Sequence, residues 1–114
     1  MTTLTTGLLG VATCAVTDTL TAEAFGSGLV PVYATPAMVA LMEQAAVRAV
    51  AGSLAADHTT VGTRLEIAHL AATPLGDAVR AEATLTAIDG RRLTFNVQAW
   101  DSSEKIGEGV HERV

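Results

Sequence analysis

The segment that most restricts how this chain folds is residues 36 to 51. Its strongly polar residues are only three: Glu43, Gln44 and Arg48. A surface helix carries a polar face over about half of its circumference, so this segment predicts a helix covered on most sides. Thr35 as N-cap and Pro36 at the first helical position favour its start. Gly52 favours its end.

Extended segments precede and follow this helix. They are predicted at residues 8–17, 62–70, 77–88, 91–100 and 105–113. The fourth alternates well, with one face formed by Leu93, Phe95, Val97 and Ala99. Asp89-Gly90 predicts a two-residue hairpin, and residues 21–25 predict a helical turn ended by Gly26 and Gly28. The order predicts an α+β fold in which a five-stranded antiparallel sheet curls around one long central helix.

Composition excludes several classes of partner. The 114 residues carry a formal charge of −5 without a run of lysine or arginine, so the counterion release that drives nucleic-acid binding is missing, as is a cationic membrane-binding face. Apolar residues make up 49% of the chain, and part of that surplus is expected at a subunit interface. We expect a single domain over residues 1–114 that forms a homo-oligomer and binds neither nucleic acid nor membrane.

Cysteine content and apolar run lengths indicate the compartment. Cys14 is the single cysteine, so one chain cannot form a disulfide or a cysteine-based zinc site. No apolar run approaches the ~20 residues that span a bilayer. Residues 8–16 lack the preceding basic residues of a signal segment, and a cytoplasmic protein is expected.

Glu43 is the first candidate functional residue. Its neighbours three and four positions away are all apolar: Val39, Ala40, Ala46 and Val47. A carboxylate in such surroundings is paired through a tertiary contact, protonated, or exposed to a pocket. A carboxyl group removed from water has a raised pKa, which suits a general base. A glutamate at a helix–helix dimer contact, or one that partly reaches solvent, is the structural alternative.

His69 is the second candidate. It shares an alternating strand face with Thr63, Leu65 and Ile67, which is predicted to point to the core. If that face packs on the helix, the imidazole and the Glu43 carboxylate come within hydrogen-bonding reach, as a base and its orienting partner must. A core histidine bonded to a backbone carbonyl explains the same pattern.

Three further positions have both a structural and a functional interpretation. The Thr35 hydroxyl caps the helix, and the amides there can also stabilise an oxyanion. Gly62 either serves a turn or lets a ligand approach the backbone closely. Arg113 is either a solvated charge or a clamp on a carboxylate or phosphate. Gly107 and Gly109 indicate a bulge or close packing against the helix.

Five motifs carry a resemblance to a known family. They are ATPAMVALMEQAAVRA (34–49), TVGT (60–63), AHLAATP (68–74), DGRRL (89–93) and IGEGVHER (106–113). With them the chain resembles the hotdog-fold acyl-CoA thioesterases, most closely the fluoroacetyl-CoA thioesterase subgroup, from about residue 26 to residue 113. The resemblance implies a hotdog fold, a homodimer with active sites near the subunit interface, and hydrolysis of an acyl-CoA thioester without metal or redox cofactor.

The same resemblance implies roles for individual residues. The family's catalytic threonine, glutamate and histidine match Thr35, Glu43 and His69. Its glycine near the thioester carbonyl matches Gly62, and its arginine in the final strand matches Arg113. Glu43 is then the base toward water or a nucleophile that forms a mixed anhydride, and both roles stay open. His69 is expected to protonate the departing thiolate.

The chain departs from the fluoroacetate-specific enzyme in the segment before the helix. Gly26 and Leu29 stand where that enzyme has phenylalanines, and Gln44 stands where it has a tryptophan. Leu29 and Tyr33 are the candidate substrate contacts in this region. The expected substrate is therefore a short-chain or small acyl-CoA, with fluoroacetyl-CoA not carried over. A non-catalytic acyl-CoA or small-ligand binding protein is the alternative, and a hydratase is disfavoured because the chain lacks that class's paired Asp and His.

Overall fold

The predicted elements are present with bounds that agree within two residues. In the computed structural model, which describes residues 4–114, the strands are β1 (Leu9–Ala15), β2 (Gly62–His69), β3 (Ala78–Asp89), β4 (Arg92–Trp100) and β5 (Lys105–Arg113). The helices are the short α1 (Ala22–Phe25) and the long α2 (Thr35–Val50). Gly26 ends α1 in the left-handed conformation, at φ 71°. The predicted α+β architecture is confirmed.

The strands form one antiparallel sheet in the order β1-β3-β4-β5-β2. On the central strand β4 the predicted apolar face is fully buried, which confirms the alternation. The hairpin after β3 lies one residue later than predicted, because Asp89 pairs with Arg92 and the loop is Gly90-Arg91. Gly90 has a φ of 61°, a conformation that the first loop position requires and that glycine adopts without strain.

Glycines let the sheet lie close to α2. A Cβ added to Gly107 would lie 2.5 Å from the sulfur of Met38, and one added to Gly10 would collide with the backbone carbonyl of Ala45. Gly107 therefore confirms the expected close packing against the helix. Gly109 meets the backbone of β2 instead, at Glu66 and Ile67.

The helix is less enclosed than the sequence predicts. Its buried residues are Ala37, Met38, Leu41, Met42, Ala45, Ala46, Ala49 and Val50. The opposite face is open, with Pro36, Ala40 and Val47 exposed although they are apolar. Gly52 does not end the helix in a left-handed turn, since the chain continues through a 3-10 turn over Ala51–Ser53.

The strand that carries His69 lies at the edge of the sheet. The prediction that its alternating face points into the core is wrong for most of its length, because Leu65 is 42% exposed and Ile67 and His69 are only partly buried. The physical reason is that α2 packs mainly on β1 and β3, so the single chain leaves β2 largely uncovered.

Candidate active site

Thr35 and His69 meet where α2 begins and β2 ends. The Thr35 Oγ1 lies 2.6 Å from Nδ1 of His69. The predicted N-cap role is wrong: Ala34 occupies that position, and its carbonyl accepts the amide of Met38 at 3.0 Å. Thr35 is the first helical residue, so its hydroxyl is not used by the helix and is available to the imidazole.

The second nitrogen of His69 has no hydrogen-bond partner in the described part of the chain. Among residues 4–114, Nε2 is buried and no protein group forms a well-aligned hydrogen bond with it. Burial lowers the pKa of His69, partly opposed by the Ala71 backbone, so the ring is neutral at neutral pH. If Thr35 donates to Nδ1, then Nε2 carries the hydrogen and is a free donor.

The Thr35–His69 pair borders a cavity of about 390 Å³. Its lining includes Ser27, Val32, Tyr33 and the segment after His69. Tyr33 is 1% exposed, and its hydroxyl lies 3.6 Å from the sulfur of Cys14. Leu29, the other candidate substrate contact, is 93% exposed and does not line this cavity. The volume suits a small acyl group together with the adjoining part of a larger ligand.

Glu43 belongs to a second group. Its Oε2 lies 3.4 Å from Nη1 of Arg113, with the carboxylate side chain 37% exposed and the guanidinium side chain 7% exposed. The carboxylate in apolar surroundings is thus paired through a tertiary contact. A Cβ added to Gly62 would lie 2.7 Å from Glu43 Oε2, so the absence of a side chain there gives the carboxylate its space.

Arg113 is held on three sides. Its Nε donates to Oγ1 of Thr60 at 2.8 Å, its Nη2 donates to the Thr60 carbonyl at 2.9 Å, and its Nη1 lies 3.1 Å from Nε2 of His111. His111 is completely buried. No role is predicted from the sequence for Thr60 or His111, although His111 stands two positions before Arg113 and therefore shares its strand face.

The two groups are not joined within one chain. Among the described residues, no hydrogen bond connects Glu43 to His69 or to Thr35, and the expected contact between Glu43 and His69 is absent. Thr35 and Glu43 are separated by eight residues of α2, a rise of about 12 Å. The prediction fails for the single chain because β2 meets α2 at opposite ends: His69 contacts Thr35 at one end, while Glu43 faces Gly62 at the other.

Two other properties of the described part of the chain bear on its chemistry. Residues 4–114 contain no group of three or more histidine, cysteine, aspartate or glutamate side chains placed to hold a metal ion. In the same range, no helix has the length and apolar character that crossing a bilayer requires.

Comparison with known proteins identifies close relatives. A curated fluoroacetyl-CoA thioesterase from Streptantibioticus cattleyicolor is 46% identical over 82 residues, which cover 72% of this chain. The matched part spans 59% of the length of that relative. A crystal structure of a point mutant of the fluoroacetyl-CoA-specific thioesterase FlK superposes with a TM-score of 0.92 at 34% identity, covering 100% of this chain and 89% of that one.

A further structural match supports the same assignment. A hypothetical protein from Thermus thermophilus, described as a thioesterase superfamily member, superposes with a TM-score of 0.90 at 31% identity, covering 100% of this chain and 85% of that one. These matches confirm the hotdog fold. A family model described as FlK, fluoroacetyl-CoA-specific thioesterase, matches residues 16–114. The chain therefore belongs to the family of fluoroacetyl-CoA-specific thioesterases.

Proposed function

We propose that the protein hydrolyses the thioester of a small acyl-CoA to a carboxylate and free CoA. The observation that carries this proposal is the Thr35–His69 pair at 2.6 Å, which borders a cavity and leaves one imidazole nitrogen without a hydrogen-bond partner within residues 4–114. A polar group that is buried and unsatisfied in the free protein is suited to a ligand atom. Membership of a thioesterase family supplies the reaction class.

The residues fit the steps of thioester hydrolysis. Glu43 takes a proton from water while the water oxygen forms a bond to the thioester carbon, which gives a tetrahedral oxyanion. Backbone amides near Gly62 or at the start of α2 stabilise that charge. The intermediate collapses as the carbon–sulfur bond breaks, while the Nε2–H of the neutral His69 donates a hydrogen bond to the departing thiolate. The proton that Glu43 took from water then goes to that sulfur, which restores the Glu43 carboxylate. In the nucleophilic alternative, the Glu43 carboxylate attacks first and water hydrolyses the resulting anhydride.

A homodimer would bring the two groups together. β2 is an edge strand whose backbone edge is open to pairing with another strand. The open face of α2 beside it is apolar at Pro36, Ala40 and Val47. Symmetric pairing of two copies through these surfaces buries both, and it places the glutamate of one copy opposite the threonine–histidine pair of the other.

Mixing two inactive variants tests this arrangement. If each site takes Glu43 from one copy and His69 from the other, a mixed dimer of Glu43→Gln with His69→Ala has one intact site and one doubly defective site. Because about half of the dimers in an equal mixture are mixed, the mixture regains about a quarter of wild-type turnover. Sites built within one chain leave every site with one defect and regain none. Sedimentation analysis of each variant checks that the dimer is present, and a monomeric wild type would contradict the proposal.

The activity is tested with a panel of short acyl-CoA esters and a colorimetric thiol assay. We expect thiol release by the wild type and a loss of about 10²-fold or more in kcat for Glu43→Gln and His69→Ala, since the first removes the base and the second removes the hydrogen-bond donor to the departing thiolate. Circular dichroism confirms that the variants fold. Turnover within a few-fold of wild type in both variants would overturn the catalytic assignment, and saturable binding without thiol release would identify a binding protein.

The panel also addresses the acyl group. Leu29 stands where the fluoroacetate-specific enzyme has a phenylalanine, and its exposed side chain does not line the cavity. This difference favours acetyl-sized substrates without selection for fluorine. Including acetyl-CoA and fluoroacetyl-CoA side by side tests this directly, because a large preference for fluoroacetyl-CoA would contradict it. The cytoplasmic location stays a prediction that rests on the single cysteine.

A further inference from the structure

His111 links the backbone of one strand to the arginine that contacts Glu43. Its Nδ1 lies 2.9 Å from the carbonyl oxygen of Arg64 on β2, and its Nε2 lies 3.1 Å from Nη1 of Arg113. The same Nη1 lies 3.4 Å from Oε2 of Glu43. A continuous path of polar contacts therefore runs from the β2 backbone to the carboxylate.

The partners of the ring determine its proton. A carbonyl oxygen only accepts hydrogen bonds, so Nδ1 must carry a hydrogen. A guanidinium only donates, so Nε2 must present its lone pair. Both contacts are satisfied by a single form, the neutral Nδ1–H tautomer of His111.

We propose that His111 is a positioning residue, whose Nε2 lone pair holds the guanidinium of Arg113 in place against Glu43. The inference rests on the proposed role of Glu43 in hydrolysis. Arg113 is a long side chain with many rotamers, and the two contacts to Thr60 fix its Nε and Nη2. The contact from His111 fixes the remaining nitrogen, the one that faces the carboxylate.

The surroundings of His111 oppose a second proton. The groups that face it are the Arg64 carbonyl from β2, the ring of Phe95 from β4 at a centroid distance of 6.2 Å, Arg113 from its own strand, and Glu43 from α2. Burial, and then the neighbouring Arg113 cation, lower the pKa of His111, against the opposing effects of the Arg64 carbonyl and Glu43. A proton on Nε2 would replace the lone pair with a donor and push the guanidinium away.

Three substitutions of His111 test the hydrogen bonds of its two ring nitrogens separately. His111→Gln places an amide oxygen near the position of Nε2 and keeps the acceptor for Arg113. His111→Asn places its amide nitrogen near the position of Nδ1, keeping the donor to Arg64 and losing the acceptor. His111→Phe keeps the volume and the contact with Phe95 and loses both hydrogen bonds.

Positioning and purely structural roles predict different orders of activity. If the Nε2 lone pair positions Arg113, we expect kcat near the wild-type value for His111→Gln and about tenfold lower for His111→Asn and His111→Phe, with KM little changed. A purely structural role would instead favour His111→Asn or His111→Phe. Activity ordered in that way, or equal in all three variants, would overturn the proposal. His58→Gln, at an exposed histidine paired with Asp57, is the matched control and should leave kcat unchanged.

A measurement without substrate separates this inference from the proposed function. The Nε–H of Arg113 is buried and bonded to Thr60, so its NMR signal should exchange slowly with solvent in the wild type and in His111→Gln. Faster exchange in His111→Asn and His111→Phe is expected, and unchanged exchange in both would contradict the positioning role. If the wild type releases no thiol from any acyl-CoA, the proposed function fails while this readout still decides whether His111 holds Arg113.

Discussion

At one end of the candidate site, Thr35 and His69 contact each other and leave a buried nitrogen that has no hydrogen-bond partner among residues 4–114. At the other end, Glu43 and Arg113 belong to a set of hydrogen bonds in which every nitrogen of the guanidinium has a protein partner. The first end is incomplete in the free chain, and the second is complete. Preorganised groups of the second kind need no reorganisation when charge develops during a reaction.

The difference follows from the elements that carry each end. Arg113 and His111 lie on β5, an interior strand paired on both sides by β4 and β2. His69 lies at the last position of β2, which is paired on one side only. A complete set of contacts forms where the sheet is complete, while the sheet edge leaves groups free to meet substrate or a second copy.

The strongest test of this comparison removes the guanidinium. Arg113→Met leaves the Glu43 carboxylate and His111 Nε2 without their partner, and we expect the free energy of unfolding to fall by about 3 kcal/mol. Urea denaturation measures this change. Arg92→Met is the matched control, because the exposed Arg92 contacts Glu112 at 3.7 Å and a surface pair contributes under about 1 kcal/mol. If the free energy of unfolding falls equally in both variants, the buried network stabilises the protein no more than the surface pair does.

A smaller change displaces the carboxylate without removing a charge. In Gly62→Ala the new Cβ would lie 2.7 Å from Glu43 Oε2, so the carboxylate must shift. A displacement of this order costs about a hundredfold in kcat when the group acts in the reaction. Gly52→Ala is the control, since a Cβ there meets nothing within 4 Å. Thiol-release kinetics compare the two, and an unaffected Gly62→Ala would argue against a working carboxylate at this place.

The incomplete end is tested through the hydrogen bond between Thr35 and His69. Thr35→Val keeps the shape of the side chain and removes the hydroxyl that contacts His69, and we expect kcat to fall about tenfold. Thr35→Ser keeps the hydroxyl and should retain most of the activity. Steady-state kinetics with a preferred acyl-CoA measure both variants. If Thr35→Ser loses as much as Thr35→Val, the methyl group rather than the hydrogen bond matters.

Local patterns in the sequence account for most of the fold. The threonine-proline start, the alternation along β4 and the glycine in the β3–β4 turn are short-range features, so the bounds of the elements follow from nearby residues. The face of β2 could not be predicted in this way. Alternation shows that Leu65 and His69 share a face, but whether a helix covers that face depends on the order of the strands in the sheet.

The candidate site residues could be proposed from the sequence one by one, but the contacts between them could not be predicted. An unpaired glutamate among apolar helix positions led to Glu43, and its partner Arg113 comes from 70 positions later in the chain. The connection between them depends on β5 pairing with β2, which no local pattern specifies. His111 had a weaker signal, because a histidine two positions before an arginine is informative only once the shared face is known to be buried.

The two ends also differ in their response to acid. Burial lowers the pKa values of His111 and His69 below the ordinary value of about 6.5, with Arg113 adding to the shift at His111. The unfolded chain therefore binds more protons than the folded one just below that pH. The stability contributed by keeping these rings neutral is present above about pH 6.5 and is lost as the pH falls, with a slope of at most about 1.4 kcal/mol per pH unit for each histidine.

Chemical denaturation between pH 5 and 8 measures this slope in the wild type and in single variants. We expect His111→Gln to flatten it more than His69→Gln, because His111 is fully buried beside a cation whereas His69 lies at the sheet edge. His58→Gln should leave the slope unchanged, since that side chain is exposed. If His69→Gln reduces the pH slope of stability more than His111→Gln does, the comparison between the two ends is reversed. The more strongly desolvated imidazole would then be His69, at the end of the site that is open to substrate.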